Sequence, residues 1–171
     1  MALDVLRYAV FAVFPVAMAY AAASDLLTMT ISNKLTLGLV ACFVVLAPFT
    51  GMGWNAFATH WVAAGAVLAV MFVCFVMGWV GGGDAKLATA ISLWVGFPGT
   101  VQFALLASIF GGVLTILLMA FRRAPVPVFI IRQPWVQRLH DSDRGVPYGI
   151  ALAAAALATY PHTIWMRVAV G

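Results

Sequence analysis

Leu87 to Phe121 reads LATAISLWVGFPGTVQFALLASIFGGVLTILLMAF, a run without a single charged side chain. Whether it forms one helix or two decides the fold, because about 20 apolar residues already cross a hydrocarbon core. Its middle holds Phe97-Pro98-Gly99-Thr100, and proline followed by glycine is a turn signal. The run therefore reads as two shorter spans joined by a tight hairpin. Working outward, a first span runs from about Tyr8 to Ser24, a second from Leu35 to Phe49 and a third from Trp61 to Val80. A last span covers about Tyr148 to Trp165, where Tyr160 and Trp165 suit the membrane interface. The expected fold is all-α, a polytopic membrane protein of six transmembrane helices.

Composition supports this. Of 171 residues, 65% are hydrophobic and 8% charged, and the mean hydropathy is +1.08. Soluble domains carry about 25% charged residues. Barrel strands would show runs of about ten residues with alternating polarity, which the long uniform runs here exclude. Residues 1–171 are read as one integral-membrane domain. The net charge of +4 is no sign of nucleic-acid binding, since the basic residues cluster between spans, where they set topology and meet anionic head groups. Cys42 and Cys74 sit inside apolar runs and read as small buried hydrophobes. His60, His140 and His162 are scattered without ligand spacing, so neither a metal nor another cofactor is expected.

Charge bias then orients the chain. With six spans, Lys34, Lys86, Arg122, Arg123, Arg132, Arg138 and Arg144 fall on one side and only Arg7 and Arg167 on the other. Basic loops stay inside, so the charged loops are cytoplasmic and both termini outside. A single helix over Leu87–Phe121 would place the five later arginines outside. Ala21-Ala22-Ala23 resembles a signal-peptide cleavage site, but Asp4 and Arg7 leave the flank without net positive charge.

The chain has five acidic residues, all aspartate. Asp25 closes the first apolar run and Asp84 follows Gly81-Gly82-Gly83, so six spans bring both out on the cytoplasmic face. Carboxylates at the edge of a bilayer are expensive and mark function by default. Two of them close together share a proton. The ionised one can then draw a proton from water while the other polarises a carbonyl. The glycines permit positive φ and close approach of another backbone. Lys34 and Lys86 read as topology determinants, either of which could also help bind a peptide; Asn33 reads as a cap or turn residue, and Arg122 and Arg123 as membrane-boundary markers. The stretch from Arg122 to Pro147 mixes apolar and basic residues and reads as a segment lying on the inner leaflet.

Gly81-Gly82-Gly83-Asp84-Ala85-Lys86-Leu87 resembles the Gly-x-Gly-Asp signature of the type IV prepilin leader peptidases. Ser24-Asp25-Leu26 with Ile31-Ser32-Asn33-Lys34-Leu35, Leu93-Trp94-Val95-Gly96 and Val146-Pro147-Tyr148-Gly149-Ile150-Ala151 are similar to further characteristic stretches, in order. The resemblance implies a six-helix aspartic protease of the bacterial inner membrane. It would remove short basic leaders from prepilins or pseudopilins at the cytoplasmic face, with Asp25 and Asp84 as the catalytic pair. The small size points to the short type that serves tight-adherence (Flp) pili. Many relatives have proline where Ser32 stands, a difference confined to the turn. The cysteine-rich zinc segment that longer relatives use for N-methylation has no counterpart here. Presenilin-like enzymes share Gly-x-Gly-Asp but set their first aspartate after tyrosine, where this chain has Ser24. Readings from other classes are a small proton-coupled transporter and a non-enzymatic assembly subunit of the pilus or secretion apparatus.

Overall fold

The computed structural model describes residues 2–170, without the side chains of 2–7, 9, 10, 128 and 168–170, so the expectation for Arg7 lies outside the described residues. The helices are α1 (Ala2–Thr28), α2 (Asn33–Leu46), α3 (Trp54–Val76), α4 (Gly82–Arg123), α5 (Val128–Ile131), α6 (Pro134–His140), α7 (Tyr148–Thr159) and α8 (Ile164–Val170). Short 3-10 turns cover Ala47–Thr50 and Tyr160–His162, and no strand occurs among the described residues. Four helices, α1 to α4, are long and apolar enough to cross a membrane, α2 counted with the 3-10 turn that continues it. Only about a fifth of each of those stretches is buried within the protein, and the remaining faces are apolar. In water such faces would aggregate; in lipid they are solvated.

α4 is two helices in one. Gly96 inside it has φ 71 and ψ 178, outside the helical region. A straight helix would hold Asp84 and Ser108 about 36 Å apart, yet both line one cavity. The chain therefore folds back at Gly96. The break falls two residues before the expected Pro98-Gly99 pair, for a local reason. Pro98 lies in the first turn of the second leg, where its missing N–H has no helical partner to lose. The positive φ belongs to Gly96, and Thr100 Oγ1 donates to the Gly96 carbonyl at 2.8 Å. A Cβ at Gly96 would stand 2.8 Å from the His60 ring, whose Nδ1–H donates to the Leu93 carbonyl at 2.7 Å. His60 thus closes over the bend.

The first leg of α4 is the centre of the molecule. Leu87, Ala88, Ile91, Leu93 and Trp94 are all buried, as expected of a helix that is apolar all round. Trp94 packs in tilted contact with Trp165 of α8 at 4.5 Å and with Phe14 of α1 at 5.2 Å between ring centres, and Phe14 stacks on Tyr160 at 4.6 Å. The two indole N–H groups are spoken for: Trp94 Nε1 donates to the Leu39 carbonyl and Trp165 Nε1 to that of Trp94. This corrects the interfacial reading of Tyr160 and Trp165, which are 2% and 0% exposed. The expected span from Tyr148 to Trp165 is interrupted at Tyr160–His162, where Pro161 cannot continue the helix and Thr163 turns extended. The chain then re-enters the bundle rather than ending at its surface.

The segment after α4, expected to lie on the leaflet, is held in part by the bundle itself. Val136 and Leu139 of α6 are buried, and α6 packs on α1 and α4, although Phe129 remains exposed. The Arg122 guanidinium, expected only to mark a boundary, donates to the carbonyls of Leu139 (2.8 Å), Arg144 and Gly145 (2.9 Å each). It ties the turn before α7 to the end of α4.

Candidate active site

Asp25 stands in the last turn of α1. The helix stops four residues later at Met29, whose φ of 53 is left-handed, and the Met29 N–H bonds back to the Asp25 carbonyl at 2.8 Å. A non-glycine residue in that conformation is held by its surroundings. Here Ser24 Oγ donates to the Thr30 carbonyl at 2.9 Å, and the Thr28 and Thr30 hydroxyls bond at 2.7 Å. Ser32 then caps α2, its Oγ accepting from the Lys34 N–H at 3.1 Å. Its φ of −69 is the value proline would impose, so the Ser32 difference leaves the turn intact.

Between these caps Ile31 points inward and is the wedge of the site. A Cβ on Gly83 would lie 3.2 Å from the Ile31 Cβ, and one on Gly149 would lie 2.9 Å from the Ile31 Cδ1. The starts of α4 and α7 thus both press on the turn that follows Asp25. The Gly149 N–H donates to Asp25 Oδ2 at 2.7 Å, and Asp25 is 5% exposed.

Asp84 occupies the first turn of α4, after Gly81 as N-cap. The three glycines are not there for positive φ, which occurs instead at Gly51, Gly78 and Gly96. Each is small for its own reason. A Cβ on Gly81 would meet Asp84 Oδ2 at 3.0 Å, one on Gly82 the Phe75 ring at 3.2 Å, and one on Gly83 the Ile31 side chain. Close packing, rather than an unusual backbone, explains the run.

Asp84 and Asp25 lie within electrostatic reach of each other. Asp84 also opens on a cavity of about 530 Å³ between α3, both legs of α4 and α7. Its walls include Ala63, Val67, Val70, Ala104 and Ala107, and Asp84 is the one charged residue among them. Tyr148 lines it too, its hydroxyl 3.2 Å from Thr115 Oγ1. Nearby, Lys86 Nζ donates to Asn33 Oδ1 at 2.9 Å and joins the first turn of α4 to the start of α2.

The residues singled out in the sequence, Asp25, Asp84, Gly81, Gly82, Gly83, Lys86 and Asn33, therefore gather at one end of the bundle. Sequence reasoning missed Ile31, Tyr148 and Gly149. The stretch Val146-Pro147-Tyr148-Gly149 did stand out, and proline just before a helix marks its start, but nothing in it names Asp25 as the partner of a backbone N–H. Two carboxyls within electrostatic reach, one buried and one opening on an apolar cavity, are the groups needed to activate a water and polarise a carbonyl without a covalent intermediate.

Residues 12–116, well over half of the chain, match the model of the type IV leader peptidase family. No individual curated protein and no solved structure matches the chain.

Proposed function

The chain belongs to the type IV leader peptidase family, and we propose that it is an aspartic endopeptidase that cuts basic leaders from Flp-type prepilins at the cytoplasmic face of the inner membrane. The observation that carries this is the packing of the starts of α4 and α7 on Ile31, which brings Asp25 and Asp84, far apart in sequence, within electrostatic reach next to the apolar cavity that Asp84 lines. A prepilin presents a leader followed by a hydrophobic helix. The small residues of α3 and of the second leg of α4 line the cavity, and the reading puts the end of that helix there, beside Asp84. Water between the two carboxyls attacks the scissile carbonyl, and no metal is needed.

Topology enters as part of the proposal. Counting both legs of α4, and α7 with α8 as one interrupted crossing, gives six passages and puts the positive loops inside. Asp25 in a last turn and Asp84 in a first turn then share one face. That placement argues against a proton relay, whose carboxylates belong near midplane.

The test is co-expression with candidate prepilins in cells, reading leader removal by gel mobility. Asp25→Asn and Asp84→Asn each abolish cleavage while the protein still inserts. Cleavage that survives either substitution sinks the proposal.

A further inference from the structure

We propose that the Gly149 N–H makes Asp25 the ionised member of the pair and leaves the shared proton on Asp84, so that Asp25 takes the proton of water and Asp84 protonates the scissile carbonyl. The inference rests on the dyad reading above and assigns its two roles. α7 runs Tyr148–Thr159 with Pro147 as N-cap, so the Gly149 N–H has no partner within its own helix. It donates to Asp25 Oδ2 at 2.7 Å in a buried setting. An N–H can only donate, and a carboxylate oxygen accepts more strongly than the carbonyl of a neutral acid.

Asp84 lacks such a donor: no N–H or O–H of the described residues bonds to its carboxyl, which is half-buried against the apolar cavity. Asp84 lies in the first turn of α4, whose dipole favours a negative charge, whereas Asp25 lies between the N-terminus of α7 and the last turn of its own α1, whose dipoles oppose each other; the direct N–H is what outweighs this. The other charged and titratable groups around the pair are engaged elsewhere. Lys86 is bonded to Asn33, Tyr148 lies against Thr115, and Arg138 of α6 donates to the Leu27 carbonyl.

Glycine is required for this contact. A Cβ at position 149 would stand 2.8 Å from Asp25 Oδ2, 2.9 Å from Ile31 Cδ1 and 3.0 Å from the Asp25 Cβ. Any larger residue pushes the carboxylate off its donor. Gly149 is thus a positioning residue acting through Asp25. Water loses a proton to Asp25 as its oxygen bonds to the carbonyl carbon, and the Asp84 proton moves to the carbonyl oxygen, giving a neutral gem-diol. On collapse the C–N bond breaks, Asp25 delivers its proton to the departing nitrogen, and one gem-diol hydroxyl returns a proton to Asp84.

Dicyclohexylcarbodiimide, an apolar reagent that adds to protonated carboxyls, tests the assignment on the full chain in detergent, with label located by mass spectrometry. At neutral pH Asp84 takes at least about tenfold more label than Asp25, the ratio set by an N–H bond to a charged acceptor. Label on Asp25 rises only on acidification, and Gly149→Ala moves that rise to higher pH. The acid limb of kcat/KM for cleavage moves the same way. Preferential label on Asp25, equal label on both, or none on either overturns the assignment. A Gly149→Ala profile that only shrinks, with its limbs in place, reduces Gly149 to a packing residue and overturns its part. Should Gly149→Ala not insert, the order of labelling in the unaltered chain decides. A chain that labels as stated and cuts no prepilin refutes the protease reading and leaves the proton assignment standing.

Discussion

Lys86 and Asn33 are joined by one hydrogen bond, which ties the turn after Asp25 to the turn that carries Asp84 beside the packing of Ile31 on Gly83. A hydrogen bond to a charged group is worth about 1.5–3 kcal/mol, and less at an exposed site such as this. Lys86→Met and Asn33→Ala should therefore each lower cleavage severalfold by loosening the approach of the two turns, and the double variant should be little worse than either. Additive losses in that cycle, measured as kcat/KM, would show that the two side chains act separately. These residues were legible because polar groups are rare in a chain that is 65% hydrophobic, so each one stands out. Gly149 was not legible as a partner of Asp25. A backbone N–H looks alike at every position, and only tertiary approach selects the one that meets a carboxylate. Ile31 was hidden for the same reason, since an isoleucine in an apolar chain carries no mark of being a wedge.

At the scale of elements, the decisive feature is the bend at Gly96. Its need for a turn was legible from Pro98-Gly99, but its position was not, because proline is equally at home within a turn and in the first turn of the helix that follows. Only the positive φ distinguishes them, and that falls on Gly96. Gly96→Ala should lower stability by about 1–3 kcal/mol from the backbone alone, with a further loss from the contact with His60. His60→Ala in the same chain should recover the steric part and none of the backbone part, read as melting temperature in detergent. Full recovery would mean that the φ value costs nothing. The interrupted crossing after α7 was misread for a related reason. Tyr and Trp near the end of an apolar run fit an interface and a core equally well, and the Pro161 break turns Trp165 onto Trp94.

For the whole molecule, long uncharged runs made the helical membrane class legible, whereas pairings between helices came from shape and left no trace in composition. The proposed six passages make a definite statement about sidedness. With Cys42 and Cys74 replaced by alanine, a cysteine introduced at exposed Asn55 should react with an impermeant reagent from outside, and one at exposed Ser142 only after the cells are opened. Reaction of both from the same side would dismantle the topology and with it the placement of the aspartates. The Arg122 clamp has a consequence of another kind. Its carbonyl partners lie on both sides of the exposed residues Asp141–Asp143, with Leu139 before them and Arg144 and Gly145 after them. Severing the polypeptide between Ser142 and Asp143 would leave a guanidinium on the larger piece that still grips the smaller one, while Gly149 still seeks Asp25. Two co-expressed fragments, 1–142 and 143–171, should accordingly find each other in the bilayer and restore leader removal, and Arg122→Ala should weaken that reunion more than it harms the unbroken chain.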